Sequence, residues 1–193
     1  MNVRNAVVAL LAGVVLSSWA SSATIRALDV SKHRGRYKLV ADTFLDASAD
    51  EIFAVLIDYD RFDRISSVYK ESGFMEPAPD GTPIVYTRMA GCMLFYCMNM
   101  RLVSRLEMEE PKYIRATTLP DRSDFTYALS EWLLEPEASG THLTYRLEME
   151  PDFWVPPIIG PWVLKRTLRR GGGAAVQRIE RLANGLPARV DGE

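Results

Sequence analysis

PDFWVPPIIGPWVLKRTLRRGGGAAVQRIERLANGL, residues 151–186, carries the only long helix that the chain can build beyond its first residues. Pro161 suits a first helical turn, where its missing N–H is no loss. Leu164, Leu168, Ala175, Ile179 and Leu182 then fall on one stripe at helical spacing. Asn184, Gly185 and Pro187 end the helix. A hydrophobic, proline-punctuated loop precedes it, with Phe153, Trp154, Val155, Ile158 and Ile159. Inside the helix stands Gly171-Gly172-Gly173. Each glycine there costs about 1 kcal/mol relative to alanine. Three readings of the triplet stay open: close approach to a neighbour, room for a ligand, or a hinge.

Upstream, the pattern is strands. After a polar lead-in over 27–34, Arg36 to Leu45 reads as a first strand. Ser48-Ala49-Asp50-Glu51 is a capping box for a short helix that buries Ile52, Phe53, Val55 and Leu56. Asp60 is expected to cap a second short helix through Ile65. Strands follow over 68–75, 84–90, 98–108, 112–118, 125–135 and 141–150, with a turn cluster Pro77-Ala78-Pro79-Asp80-Gly81 between the first two. Alternation is clearest at Met98, Met100, Leu102, Ser104, Leu106 and Met108, and again at Leu143, Tyr145, Leu147 and Met149. Ala128, Ser130, Trp132 and Leu134 share a face in the same way. Short turns make the neighbours antiparallel. The expected architecture is α+β: a seven-stranded antiparallel sheet with one wet face, the other closed by the last helix, in a single domain over 35–186.

The order of strand, two short helices, six strands and long helix resembles the helix-grip fold of the SRPBCC superfamily, which includes START domains and polyketide cyclases. More narrowly, the chain looks like the exported branch of the coenzyme Q-binding START-domain family. The matching stretches are ADEIFAVLIDYDRF over 49–62, SEWLL over 130–134 and PDFWVPPIIGPWVLKR over 151–166. The resemblance implies an apolar tunnel between sheet and helix that takes quinones, lipids, sterols or polyketides. It also implies ordinary helix formers at 171–173, where this chain has glycine. Fold alone does not transfer function.

The 193-residue chain has a formal charge of −2, so no basic field favours nucleic acid. Residues 1–23 read as a secretory signal peptide: Arg4, the apolar run Ala6 to Leu16, then small residues with cleavage expected after Ala20 or Ala23. That run is shorter than the ~20 residues of a membrane span. The expectation is a periplasmic or secreted protein. In an oxidising compartment Cys92 and Cys97, flanking a hairpin loop, can form a disulfide; two free thiols are the alternative.

Catalytic equipment is sparse. His33 and His142 are expected to be solvated, and no metal-ligand or nucleophile motif is present, so neither a metal nor another cofactor is expected. Asp121, Asp124 and Glu131, with Arg101 and Arg115, could do acid–base work if buried together; alternation assigns Arg101 to the outer face. The positive case is apolar. Met98, Met100, Leu102, Trp132, Tyr145, Leu147 and Met149 should line the concave face, with Leu168 and Gly172 opposite. Phe95, Tyr96, Phe153 and Trp154 are candidates for transient contact with a membrane surface; packing on the last helix is the alternative. The expected function is non-catalytic binding or transport of a hydrophobic molecule such as a lipid, quinone or isoprenoid. Two others remain: a polyketide cyclase or dehydratase, and an accessory protein that works through partners.

Overall fold

A computed structural model describes residues 23–93, 96–157 and 161–188; residues 1–22 of the expected leader, Phe95, Ile158 and Ile159 lie outside them. The elements are β1 (Thr24–His33), β2 (Arg36–Leu45), α1 (Ala49–Ile57), a 3₁₀ turn (Tyr59–Arg64), β3 (Tyr69–Met75), β4 (Ile84–Met93), β5 (Tyr96–Glu109), β6 (Tyr113–Thr118), a second 3₁₀ turn (Pro120–Arg122), β7 (Phe125–Glu137), β8 (Gly140–Pro151) and α2 (Pro161–Ala183). One eight-stranded antiparallel sheet has the order β1-β2-β8-β7-β6-β5-β4-β3. Strands β3 to β8 form a meander, and β2 closes back beside β8.

The eighth strand is a correction. Residues 27–33 are not a lead-in but part of β1, which pairs with β2 along its length and ends at His33. Two features hide it. The register shifts between Ile25 and Ala27, so the inward residues Ile25, Leu28 and Val30 break the period of two. The hairpin loop is Arg34-Gly35, with φ of 49° and 88°. A two-residue loop with positive φ at both positions favours Asn-Gly, and arginine gives no such signal.

Ser48 caps α1 as expected: its Oγ accepts the Glu51 N–H at 3.3 Å, while Glu51 Oε2 accepts the Ser48 N–H at 3.3 Å. The 3₁₀ turn differs from expectation. It starts two residues earlier than an Asp60 cap requires, and Asp58 precedes it. The Asp58 carboxylate pairs with Arg61 at 2.7 Å and also with Arg64. At the far end of α2, Gly185 adopts φ 69°, its N–H reaches Leu182 O at 3.0 Å, and Leu186 N–H reaches Arg181 O at 2.8 Å. This pair of bonds satisfies the last carbonyls of the helix.

Two apolar clusters lie between sheet and helices. The larger joins α1, the 3₁₀ turn and the second half of α2 (Ala175, Val176, Ile179) to Leu45, Val85, Leu106, Ile114, Leu134 and Leu143. The smaller joins the first half of α2 (Leu164, Leu168) to Val30, Tyr37, Leu39, Leu147 and Met149. A third lies on the opposite sheet face, which is therefore not wholly wet. There Ala78, Ile84 and Val103 pack with Met75, Tyr86 and Leu119. The Pro77–Gly81 cluster folds over this patch. It is pinned by Asp80, which accepts the Thr82 N–H at 3.0 Å and pairs with Arg105; these bonds hold its carboxyl near about 2.

Candidate functional site

Strand register decides which side chains face the helices. Tyr145 lies opposite Trp132, and Leu147 opposite Ser130. Thr118 lies opposite Ser104, and Ser104 opposite Val85. From β3 to β8 the described helix-facing positions are apolar or carry an uncharged hydroxyl. Glu131, Arg115 and Arg146 alternate onto the other face.

The residues expected to line the site separate into two groups. Tyr145, Leu147, Met149 and Leu168 meet under the first half of α2. Trp132 packs on the larger cluster, and its ring stacks on Tyr145 at 3.9 Å, joining the two. Met98, Met100 and Leu102 are half-buried and belong to none of the three apolar clusters. They line the β5 side of the concave face, with Met89 opposite Met100 and the buried Thr87 opposite Leu102. Helix α2 packs chiefly on β1 and α1, with a smaller contact on β4.

Helix α2 is continuous through its glycines. A Cβ on Gly172 would stand 3.6 Å from Ile25 Cδ1, an ordinary contact, and one on Gly171 or Gly173 would meet nothing within 4 Å. Close packing therefore does not require glycine at these positions.

Apart from Tyr145, sequence reasoning missed the polar members of the face. Tyr59, on the 3₁₀ turn, stacks on Phe62 at 4.4 Å, and Phe62 meets the ring of Tyr69 at 5.1 Å. Burial pushes the phenols of Tyr59, Tyr69 and Tyr145 up, and that of Tyr145 is raised further by Tyr69 and Tyr59. All three hydroxyls therefore stay protonated and neutral at physiological pH. Thr118 is 8% exposed, and its Oγ1 has no hydrogen-bond partner. The one readable signal was Ser104, a hydroxyl inside the apolar stripe of β5.

The carboxylates take other roles. Tyr113 donates a short hydrogen bond to Glu131, and Arg115 lies 3.9 Å from Glu131, all on the outer sheet face. Burial and Glu131 raise the Tyr113 phenol to about 12. A concavity of about 290 Å³ lies there, lined by Tyr113, Glu131, Leu133, Thr144 and Arg146. A second, of about 280 Å³, lies between α1 and α2 and includes Asp58, Arg61 and Arg64. Neither lies beneath α2. Asp124 accepts the Arg101 N–H at 2.6 Å and so holds the segment before β7 against the middle of β5. His142 is not solvated as expected; it is half-buried between Glu135 at 3.4 Å and Asp42 at 3.7 Å. No group of three metal-ligating side chains occurs among the described residues.

Strands β4 and β5 set Cys92 opposite Cys97, and a disulfide with an S–S distance of 2.00 Å joins them. Of the aromatic loop residues, Phe153 packs edge-on against Phe125 on β7, at 6.0 Å. Trp154 is 69% exposed and Trp162, in the first turn of α2, is 71% exposed. Arg166 lies over the Trp162 ring at 5.8 Å. The side chains of Phe95 and Tyr96 lie outside the described residues. No helix among the described residues is long and apolar enough to cross a membrane.

A family model described as polyketide cyclase / dehydrase and lipid transport matches residues 36–184. No curated protein matches the sequence. Among solved structures, the Zhui aromatase/cyclase from Streptomyces sp. R1128 is similar with a TM-score of 0.60, 15% identity, and coverage of 81% of this chain and 98% of that one. A STAR-related lipid transfer protein from Xanthomonas axonopodis gives 0.59 at 18% identity, covering 80% and 98%. Human STARD10 gives 0.57 at 14% identity, covering 83% and 74%. At such identities the likeness is one of fold. These START-like neighbours match the expected helix-grip α+β class, with eight strands in place of seven.

Proposed function

The chain belongs to the polyketide cyclase / dehydrase and lipid transport family, and we propose that it binds and carries a hydrophobic small molecule, such as a quinone, an isoprenoid or another neutral lipid. One observation carries this reading. Met89, Met98, Met100 and Leu102 form a half-buried apolar arm outside the packed clusters, on the same face as the Trp132–Tyr145 stack. Methionine adapts its shape to flexible guests. Covering this arm removes apolar area from water at about 25 cal/mol per Å². Binding is favoured over cyclase chemistry because no carboxylate or imidazole occupies the described helix-facing positions from β3 to β8, whereas Glu131 and Arg115 face outward. Solvent extraction of the purified protein, followed by mass spectrometry, is expected to yield a stoichiometric apolar compound. The double variant Met100→Asp/Leu102→Asp should retain less than a tenth of it. A protein that carries none, and takes up none from a lipid extract, would end this reading.

The leader-like residues 1–23 and the Cys92–Cys97 bond support export to an oxidising compartment, the periplasm in a bacterium. Cargo exchange there would use a membrane surface. Trp154 and Trp162 are amphipathic anchors, and residues 161–179 carry Lys165, Arg166, Arg169, Arg170 and Arg178 without a single carboxylate. Each cation near an anionic bilayer contributes about 1 kcal/mol. The protein should float with phosphatidylglycerol-containing vesicles more than with pure phosphatidylcholine. Trp162→Ser/Arg166→Ser/Arg169→Ser should reduce the bound fraction about tenfold or more. Equal flotation of variant and wild type would remove the membrane role.

A further inference from the structure

On the outer sheet face Glu131 and Arg146 stand directly opposite each other across β7 and β8. Opposite charges in that position ordinarily close into a cross-strand pair. This pair stays open. Tyr113 donates its hydroxyl to Glu131 Oε1, and Arg115 Nε lies 3.9 Å from the same oxygen. Both side chains come from β6, so the carboxylate leans away from β8. Arg146 is exposed and makes no ion pair with any described residue. Both charges line the concavity of about 290 Å³, together with Tyr113, Leu133 and Thr144. The Thr144 hydroxyl is committed to Asp42 at 3.0 Å, and Leu133 lies opposite Tyr113 as an apolar wall. An anion entering here meets Glu131, and a cation meets Arg146. Each would gain one half-exposed pair, worth little in water. A small molecule that carries both charges makes both pairs for a single loss of translational freedom.

We propose that this outer-face concavity binds a free α-amino acid with an apolar side chain, its carboxylate on Arg146, its ammonium on Glu131 and its side chain along Leu133 and Tyr113. The site lies on the opposite side of the sheet from the apolar arm, so it stands or falls independently of the carrier reading.

The test is a ligand-detected NMR titration of the purified protein with three probes: L-leucine, 4-methylpentanoate, which lacks the ammonium, and 3-methylbutylamine, which lacks the carboxylate. L-leucine is expected to bind in the millimolar range, and each analogue about tenfold more weakly or worse, because each forfeits one charge-assisted contact. Arg146→Gln should weaken L-leucine by about the same factor. Tyr113→Phe separates a built site from scattered surface charge. Without the phenol, Glu131 is free to swing across and close on Arg146, so L-leucine should bind more weakly although neither charge has been removed. The apolar compound extracted from both variants should match that of wild type. L-leucine that fails to bind, or binds no better than either analogue, would overturn the proposal with no variant needed. Unchanged affinity in Arg146→Gln or in Tyr113→Phe would overturn it as well.

Discussion

Glu180→Ala is expected to lower the unfolding free energy by about 3 kcal/mol, read as a shift of the urea midpoint at constant slope. Glu180 sits near the end of α2 and is 8% exposed. Its two carboxylate oxygens accept the N–H of Asp46 at 2.7 Å and the N–H of Ala23 at 3.2 Å. The first ties the turn after β2 to the helix, and the second ties down the start of β1. Alanine is a good helix former, so the helix itself loses nothing. The whole effect comes from two backbone donors left without an acceptor, each worth about 1–3 kcal/mol. Glu180→Gln should lose about half as much, because one carbonyl oxygen still accepts while the new amide N–H₂ faces a donor. A loss below 1 kcal/mol in the alanine variant would show that water replaces the carboxylate at both amides.

The opposite sign is expected for Gly171→Ala/Gly172→Ala/Gly173→Ala. The three Cβ atoms fit: one touches Ile25 at ordinary contact distance and two enter open space. The variant should gain about 2–3 kcal/mol, mainly because alanine leaves the unfolded chain less freedom to lose. The gain bears on function. Should the glycines let α2 bend while a ligand enters, the stabilised variant will take up cargo more slowly or hold less of it. A variant that is more stable and binds with unchanged rate and capacity would leave the triplet with no part in binding.

The chemistry of individual residues explains how far the sequence could be read. Strands β5, β7 and β8 were legible because one face is buried and the other wet, which writes a period of two into the chain. The capping box at Ser48 was legible because it is a local bargain between two side chains. Strand β1 was not, because a bulge near Arg26 shifts the phase and an arginine occupies a positive-φ turn. The outer cluster around Val103 escaped notice because its cover is a loop, and loops carry no periodicity. The apolar half of the site could be named from alternation alone. Its division could not: whether Met100 and Trp132 share a wall depends on register across β5, β6 and β7, which no single strand encodes. Tyr59 and Tyr69 stayed hidden for a related reason, since one lies on a 3₁₀ turn and the other beside a register shift in β3.

Were the proposed leader over residues 1–23 removed, the bond between Glu180 and the Ala23 amide would make the folded body sensitive to where the cut falls. A cut after Ala20 would keep the clasped Ala23 amide. A cut after Ala23 would remove that amide and leave the carboxylate oxygen without its donor. One buried glutamate thus stands where it can favour one proteolytic end of the chain over another.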